Sequence, residues 1–283
     1  MTRFRLDRFL TLRFFYPLVR GTKSVSEPRV PVLMYHSISD DEEHDLHPYY
    51  RINTTPAIFA EHMGFLKENG YTVIDLTDLG HCLATGPTIK KFVAITFDDG
   101  YDDFHANAFP ILQEHHFTPT VFLPTAFIGN NKERFPGRKH LTWDQVSWLS
   151  GRGINFGSHT ATHPSLTALK TEEVEHEIRT SKEIIEEKLG QAIHTFSYPF
   201  KFPDANTQFK AMLRELLKRN GYACGVTTRI GLTSRQDDRF FMKRIPVNSC
   251  DDIPLFQAKL EGGYDWLYPL QRFRKLMASK LRW

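Results

Sequence analysis

Two short polar segments carry the residue types of a hydrolytic metal site. Asp98-Asp99-Gly100 follows the apolar run Phe92–Phe97, and His159-Thr160-Ala161-Thr162-His163 follows the apolar run Ile154–Ser158. Adjacent carboxylates repel each other, and burying them without a cation, a basic partner or water is costly. One carboxylate and two neutral imidazoles suit zinc and related divalent ions and leave coordination positions for water. The remaining aspartate can accept a proton from that water, so together the segments predict metal-assisted hydrolysis.

Taken singly, each segment also has a purely structural interpretation. Asp-Asp-Gly suits a turn or a helix cap, and a pair of histidines can be structural or face solvent. Pro164 disfavours helical geometry at His163, which predicts a loop carrying both imidazoles. No glutamate follows His159, so the H-E-x-x-H pattern of metalloproteases is absent.

Short apolar runs rich in β-branched and aromatic residues alternate with helical patterns along the chain. The predicted strands are Val30–Tyr35, Tyr71–Ile74, Phe92–Phe97, Thr120–Leu123, Ile154–Ser158, Thr195–Tyr198, Ala223–Thr227 and Phe240–Val247. Helices are predicted near 56–69, 102–116, 142–150, 171–189, 205–220 and 252–261, the longest of them capped by Thr171 and ended by Gly190. This alternation predicts parallel strands in an open sheet or a barrel, where functional groups follow the strand ends. No G-x-G-x-x-G or P-loop sequence is present, so the sequence gives no support for nucleotide binding.

Charge is distributed unevenly over the 283 residues. Residues 1–23 contain six basic residues and one acidic residue, and residues 264–283 contain five and one, although the net charge of the chain is only +3. The intervening body is therefore acidic. We predict a basic, aromatic N-terminal tail over 1–23, a single catalytic domain over 24–263 and a basic amphipathic helix over 264–283.

The two basic segments raise the question of a partner surface. Apolar residues after Pro269 gather on one side of a helical projection, the pattern of a helix lying among lipid headgroups. No cleavable signal or membrane-spanning stretch is visible, which predicts a cytoplasmic protein held on the inner face of an anionic membrane. The alternative is that both segments pack on the body and cover its ends. Nucleic-acid binding has no accompanying recognition motif.

The two polar segments together resemble motifs of the NodB-type polysaccharide deacetylases, carbohydrate esterase family four. T-F-D-D-G at 96–100 is similar to the first motif of the family, and H-T-A-T-H at 159–163 to the second. The opening P-V-L-M-Y-H-S at 31–37 resembles the start of members that act on surface polysaccharides. The resemblance extends over roughly residues 30–250.

This resemblance implies an α/β fold, a distorted (β/α) barrel of about seven parallel strands. It implies that Asp98 is the base and that Asp99, His159 and His163 bind one divalent metal ion, for which zinc is favoured. The reaction would be hydrolysis in which the ion polarises an acetyl carbonyl while Asp98 removes a proton from water.

Two parts of the chain depart from the family pattern. The R-x-P-Y motif is matched by Ser197-Tyr198-Pro199-Phe200, which assigns Tyr198 and Phe200 to substrate and oxyanion contacts but lacks the arginine. Arg244 is the candidate substitute, with a surface arginine as the alternative. The general-acid histidine is missing from residues 240–260, and His36 after the first strand is the candidate, with a structural histidine as the alternative.

The sequence thus predicts an enzyme that removes acetyl groups from N-acetylated sugars of a surface polysaccharide or of its lipid-linked precursor. A second hypothesis keeps the metal site but replaces the substrate with a formamide or a cyclic amide. A third is a catalytically silent glycan-binding protein on the same fold. The retained Asp98 argues against the third, because a pure binder has no need of a base beside a metal.

Overall fold

Seven parallel strands close into a barrel at the centre of the protein. The computed structural model describes residues 5–21, 28–41, 43, 45–84, 91–129 and 137–271. The barrel order is β2-β12-β10-β9-β8-β7-β6, and a direct pairing between β2 and β6 closes the ring. The strands are β1 Arg29–Val30, β2 Val32–Tyr35, β3 Ser37–Ile38, β4 Asn53–Thr54, β5 Tyr71–Val73, β6 Lys91–Phe97, β7 Thr120–Leu123, β8 Asn155–Ser158, β9 Thr195–Ser197, β10 Cys224–Ile230, β11 Thr233–Ser234 and β12 Met242–Pro246. The predicted seven-stranded barrel is confirmed.

Helices cover the outside of the barrel between the strands. They are α1 Leu6–Leu10, α2 Tyr16–Gly21, α3 Pro56–Glu68, α4 Leu79–Ala84, α5 Phe109–His115, α6 Trp143–Ser150, α7 Thr171–Leu189, α8 Thr207–Arg219 and α9 Ile253–Leu260. Thr142 and Gln145 form a capping box at the start of α6, and Gly190 ends α7 with a φ of 66°. None of the described helices is long and apolar enough to cross a membrane.

The predicted strands and helices are all present, with three differences in detail. The pattern at 102–116 is divided into a π-helical turn, Phe104–Ala108, and α5. Thr171 is the first residue of α7 and not its cap, because the Glu173 carboxylate accepts a hydrogen bond from the Lys170 N–H one residue earlier. Within the predicted N-terminal tail, residues 6–21 form a helical segment that packs against α9 and residues 263–266. Residues 272–283, most of the predicted C-terminal helix, lie outside the described residues.

Barrel strands are buried on both faces, which explains their nearly continuous apolar sequences. In β6 the five residues from Val93 to Phe97 are all buried, and Asp98 and Asp99 follow directly. Parallel pairing brings the carboxyl ends of all seven strands to the same end of the barrel. The polar residues that follow the strands therefore share one end, at the top of a rigid apolar frame.

A buried charge cluster joins the N-terminal helix to the loop after β12. Asp251 accepts hydrogen bonds from Lys259 Nζ at 2.7 Å and from Arg5 Nη1 at 3.1 Å. Asp7 accepts from Arg5 and, at 2.6 Å, from the Tyr264 hydroxyl. Burial opposes ionisation of Asp7, but its bonds to Arg5 and Tyr264 prevail and lower its pKa to about 2. Its contribution to stability is complete above about pH 4 and is lost as the pH falls towards 2.

We predict that Asp251→Asn strongly destabilises the protein at neutral pH. Removing one partner leaves the buried Lys259 and Arg5 without their shared carboxylate, which should cost about 3–5 kcal/mol. The matched control is Asp252→Asn, because the Asp252–Arg8 pair is largely exposed and asparagine can still cap α9. Urea unfolding should separate the two variants clearly, and equal midpoints would contradict the role of the cluster.

Candidate active site

The predicted site residues meet at the carboxyl end of the barrel. The backbone N–H of Asp98 donates to Tyr35 O at 3.0 Å, and that of His159 donates to Leu123 O at 3.0 Å. Each bond continues a strand ladder by one residue, so both segments leave the barrel in fixed positions. His36 follows β2, and Arg244 projects from β12 with no exposed surface. Side chains as far apart in sequence as Asp98 and Arg244 are thereby brought into contact.

Three side chains form a compact triangle of potential metal ligands. Asp99 Oδ1 lies 3.5 Å from His159 Nε2 and 3.4 Å from His163 Nε2, and the two imidazole nitrogens are 3.2 Å apart. Metal–ligand bonds of about 2.0–2.1 Å at tetrahedral angles give ligand spacings of roughly 3.3 Å. Asp99 Oδ1 is buried without a hydrogen-bond partner among the described residues, a costly arrangement that a cation would relieve. The donor set and its spacing fit one divalent ion.

The tautomer of His159 is held in the form that metal binding requires. Its Nδ1 donates to the carbonyl oxygen of Ser197 at 2.8 Å, so in the neutral ring the lone pair of Nε2 faces Asp99 and His163. Burial, followed by the neighbouring His159, lowers the pKa of His163 to about 4. His163 is therefore neutral at pH 7, as a metal ligand must be.

Unusual backbone conformations concentrate at this site. Five described non-glycine residues have positive φ, and four of them lie here: Asp99 at 70°, Thr160 at 69°, His163 at 56° and Phe200 at 55°. Such conformations cost energy and persist only where the surroundings enforce them. Gly100 shows how tight the first loop is, because a Cβ at this position would lie 2.7 Å from Leu123 Cδ2.

Glu177 of α7 holds the histidine loop in place. Its Oε2 accepts hydrogen bonds from the N–H groups of Ala161 and Thr162, both at 2.8 Å, and its Oε1 accepts from Thr162 Oγ1 at 2.7 Å. Inside the loop, the His163 N–H donates to Thr160 Oγ1 at 3.0 Å. A buried carboxylate thus satisfies the backbone between the two histidines. Sequence analysis missed Glu177, because it is one of many charged residues in α7.

Asp98 is paired with Arg244 through two parallel hydrogen bonds. Arg244 Nη1 donates to Asp98 Oδ1 and Nη2 donates to Oδ2, each at 2.7 Å. Ser197 Oγ donates to Asp98 Oδ1 at 3.1 Å and accepts from Arg244 Nη2 at 3.0 Å. The remaining guanidinium nitrogen, Nε, donates to Thr227 O at 3.0 Å. Arg244 is therefore a buried partner of Asp98, and the alternative of a surface arginine is wrong.

The ionised groups of the site leave Asp99 as a negative charge without a cationic side chain among the described residues bonded to it, because Arg244 is paired with Asp98. Burial alone would raise the pKa of Asp98, but the Arg244 guanidinium and then His159 outweigh burial and lower it to about 2. The pKa of Asp99 is likewise lowered, because its histidine neighbours outweigh burial. Burial opposes the charge of His159, yet Asp98 and Asp99 raise its pKa. This field favours a cation among these side chains.

Of the other predicted residues, His36 and Phe200 border the site, whereas Tyr198 does not. His36 Nε2 lies 4.0 Å from Asp98 Oδ2, with 18% of its side chain exposed at the mouth of the site. The Phe200 ring is half exposed and lies 4.6 Å from the His163 ring. Tyr198 is not part of the site, because its ring is buried against Phe202 and its N–H donates to Val226 O at 3.1 Å. Its assignment to substrate or oxyanion contact is therefore corrected.

Comparison with known proteins finds similarity to polysaccharide deacetylases. A family model described as polysaccharide deacetylase matches residues 85–224. YxkH of Bacillus subtilis (strain 168), a protein named for this same family, is 29% identical over 241 residues, which cover 85% of this chain and 79% of YxkH. The poly-beta-1,6-N-acetyl-D-glucosamine N-deacetylase of Staphylococcus epidermidis is 25% identical over 209 residues, covering 70% of this chain and 68% of that protein.

The fold also matches a solved structure. The deacetylase PplD of Streptococcus pyogenes, determined in complex with acetate, superposes with a TM-score of 0.71 at 23% identity. The match covers 83% of this chain and 99% of PplD. At this level of identity the likeness concerns the barrel fold.

We predict that metal retention depends on both the triangle and its support. His163→Ala removes one of three protein ligands and should abolish tight zinc binding. Glu177→Gln keeps the ligands but loses acceptors for the loop, which should weaken zinc affinity about 10–100-fold. Glu183→Gln, on the exposed side of the same helix, is the matched control. Competition with a chromophoric chelator measures all three, and full zinc content in His163→Ala would refute the ligand assignment.

Proposed function

Starting from the polysaccharide deacetylase family, which the family model and the relatives support for this chain, we propose that the protein is a metal-dependent N-deacetylase. The observation that carries this proposal is the buried Asp98–Arg244 pair directly beside the Asp99–His159–His163 triangle. A carboxylate base next to a cation site is the combination needed to hydrolyse an amide with water. The proposal includes the family subgroup that begins with a strand like P-V-L-M-Y-H-S at 31–37.

The metal would be held by Asp99, His159 and His163, and zinc suits this mixed nitrogen and oxygen set. A bound divalent ion supplies a Lewis acid for the acetyl carbonyl and lowers the pKa of the attacking water. The tight loops around the triangle leave these three side chains little freedom to rearrange. The site is therefore organised before any substrate arrives.

Asp98 would accept the proton of the attacking water at Oδ2. Its Oδ1 already accepts hydrogen bonds from both Arg244 and Ser197, whereas Oδ2 accepts one from Arg244 alone. Oδ2 also faces the metal ligands and the mouth, at 4.0 Å from both His159 Nε2 and His36 Nε2. Arg244 fixes the plane of the carboxylate, so a lone pair of Oδ2 is directed into the site.

His36 would donate a proton to the leaving amine, and Phe200 would contribute to substrate contact. His36 is the histidine nearest to Asp98 that is not a proposed metal ligand, and it is partly exposed at the mouth. The backbone N–H of Phe200 has no acceptor among the described residues, which leaves it available for a developing oxyanion. The exposed ring of Phe200 offers an apolar surface to a sugar.

The substrate class we propose is an N-acetylhexosamine glycan or its lipid-linked precursor. One relative is named for poly-beta-1,6-N-acetyl-D-glucosamine, an N-acetylated sugar polymer. A half-exposed aromatic ring beside the triangle suits the apolar face of a pyranose. Residues 24–263 would form the catalytic domain. Any contact with a membrane would be made by a surface other than the active site.

Acetate release is the decisive measurement, with Asp98→Asn as the test variant. The parent should release acetate from N-acetylglucosamine polymers, short oligomers or lipid-linked N-acetylglucosamine, and lose this activity without metal. Asp98→Asn should retain zinc and lose about 10²–10⁴ in turnover, because asparagine cannot accept the proton. Turnover of a formamide or a cyclic amide instead would favour the amidase hypothesis. Glycan binding without turnover would favour the silent protein.

His36→Ala tests the proposed acid separately. If His36 supplies the proton, the rate of the parent should fall on the alkaline side of its pH profile, and the variant should lose that limb together with a large part of its rate. His81→Ala, at an exposed position on α4, is the matched control. An unchanged pH profile in His36→Ala would make His36 structural.

A further inference from the structure

The N-terminal helical segment presents an apolar face to solvent. α1, a π-helical turn at Thr11–Phe15 and α2 form one continuous segment over residues 6–21. Its large apolar side chains are exposed to 57% at Leu6, 46% at Phe9, 51% at Phe14 and 64% at Leu18. We call these four residues the outer face. They are four of the nine exposed large apolar residues in the described part of the chain, although the segment itself is short.

The opposite face of this segment is packed against the barrel. Trp266 Nε1 donates to the buried Thr11 hydroxyl at 3.0 Å, and the rings of Trp266 and Phe15 stack with centroids 4.5 Å apart. The Arg5 guanidinium enters the charge cluster with Asp7 and Asp251. The outer face is thus displayed by a helix that is fixed along its length, and its exposure is not the fraying of a chain end.

The exposed charges of the segment that lack an ion-pair partner among the described residues are positive. Arg5 and Arg8 are occupied by Asp251 and Asp252, and Asp7, the acidic residue of the segment, is turned into the buried cluster. Arg13 and Arg20 are exposed and form no ion pair with the described residues. Solvent therefore meets aromatic and aliphatic groups flanked by two guanidinium groups and no carboxylate of the segment.

We propose that the outer face binds the surface of a lipid bilayer that contains anionic headgroups. Large apolar side chains flanked by arginine on one side of a helix match the boundary between headgroups and acyl chains. A second copy of the chain is a poorer partner, because its outer face would add two more arginines and no carboxylate of the segment to the contact. Residues 272–283 of the same chain are poorer for the same reason, since they contain five basic residues and no acidic one.

This surface is independent of the proposed deacetylation but would orient the site. The segment begins against the loop 250–252, which follows β12 at the same end of the barrel as the active site. Further along the segment, Tyr16 packs on Gly263, which lies beyond α9. A bilayer along the outer face would therefore lie beside the barrel and extend to the end that holds the active site. If the deacetylation proposal also holds, this geometry suits a sugar carried on a lipid.

Vesicle flotation of the full chain tests the proposal. The parent should float with vesicles of phosphatidylcholine and phosphatidylglycerol, much less with phosphatidylcholine alone, and less at high salt. Leu6→Gln/Phe14→Gln should lower the partition coefficient at least about tenfold, because two large apolar groups are lost from the contact. Arg13→Gln/Arg20→Gln should reduce binding to the anionic vesicles only. Leu46→Gln/Trp148→Gln, which removes exposed apolar groups elsewhere, is the matched control and should float like the parent.

Three outcomes would overturn the proposal. In the first, the intact protein remains at the bottom of the gradient and therefore does not bind the vesicles. In the second, the Leu6→Gln/Phe14→Gln variant floats as well as the parent, which would assign the lipid contact to another surface. A parent that dimerises in size-exclusion chromatography, with the dimer lost in that variant, would identify a second copy as the occupant. Zinc content and acetate release from a soluble oligomer, measured on the same samples, separate these outcomes from a failure of the catalytic proposal.

Discussion

The buried pair of Asp98 and Arg244 is the interaction on which the architecture of the site depends. Two adjacent carboxylates inside a barrel are untenable without compensation, and a guanidinium with no exposed surface provides it for the first of them. The pair is complete only because Ser197 and the Thr227 carbonyl occupy other polar atoms of the two groups. These residues come from β6, β9, β10 and β12 or directly follow them. The charged form of Asp98 is therefore stabilised only when these strands are assembled in the barrel.

The second carboxylate is left with a different form of compensation. Asp99 faces two imidazole nitrogens and retains a buried oxygen without a hydrogen-bond partner among the described residues. The surrounding loops hold strained backbone angles at Asp99, Thr160 and His163, and Glu177 stabilises the histidine loop from α7. Strain of this kind is maintained by the surrounding barrel, and it places three potential ligands at a spacing suited to an ion. The same loops therefore fix the positions of the three side chains and create the need for a cation beside Asp99.

Much of this arrangement follows from local sequence patterns. The strands are short apolar runs in a fold that buries both faces, and parallel pairing then collects the residues after each strand at one end. What local patterns do not contain is the direction of a long side chain across the barrel. Glu177 was hidden among the charges of α7, and the N-terminal helix was hidden because its two faces are both rich in apolar residues. Tyr198 was misassigned because its motif position gives no sign that its N–H continues the ladder to β10.

The exchange of arginine and serine shows why spatial position matters more than motif position in a barrel. Ser197 stands where the resembled motif has arginine, and its small side chain leaves room beside Asp98. Arg244, on a strand two places away in the barrel, extends its guanidinium into that room and bonds to Ser197 itself. Interior side chains of neighbouring strands reach the same layer, so more than one strand can supply a group to a given point. A missing residue in a linear motif is therefore weak evidence against activity until the interior of the barrel has been examined, and here the interior contains the arginine.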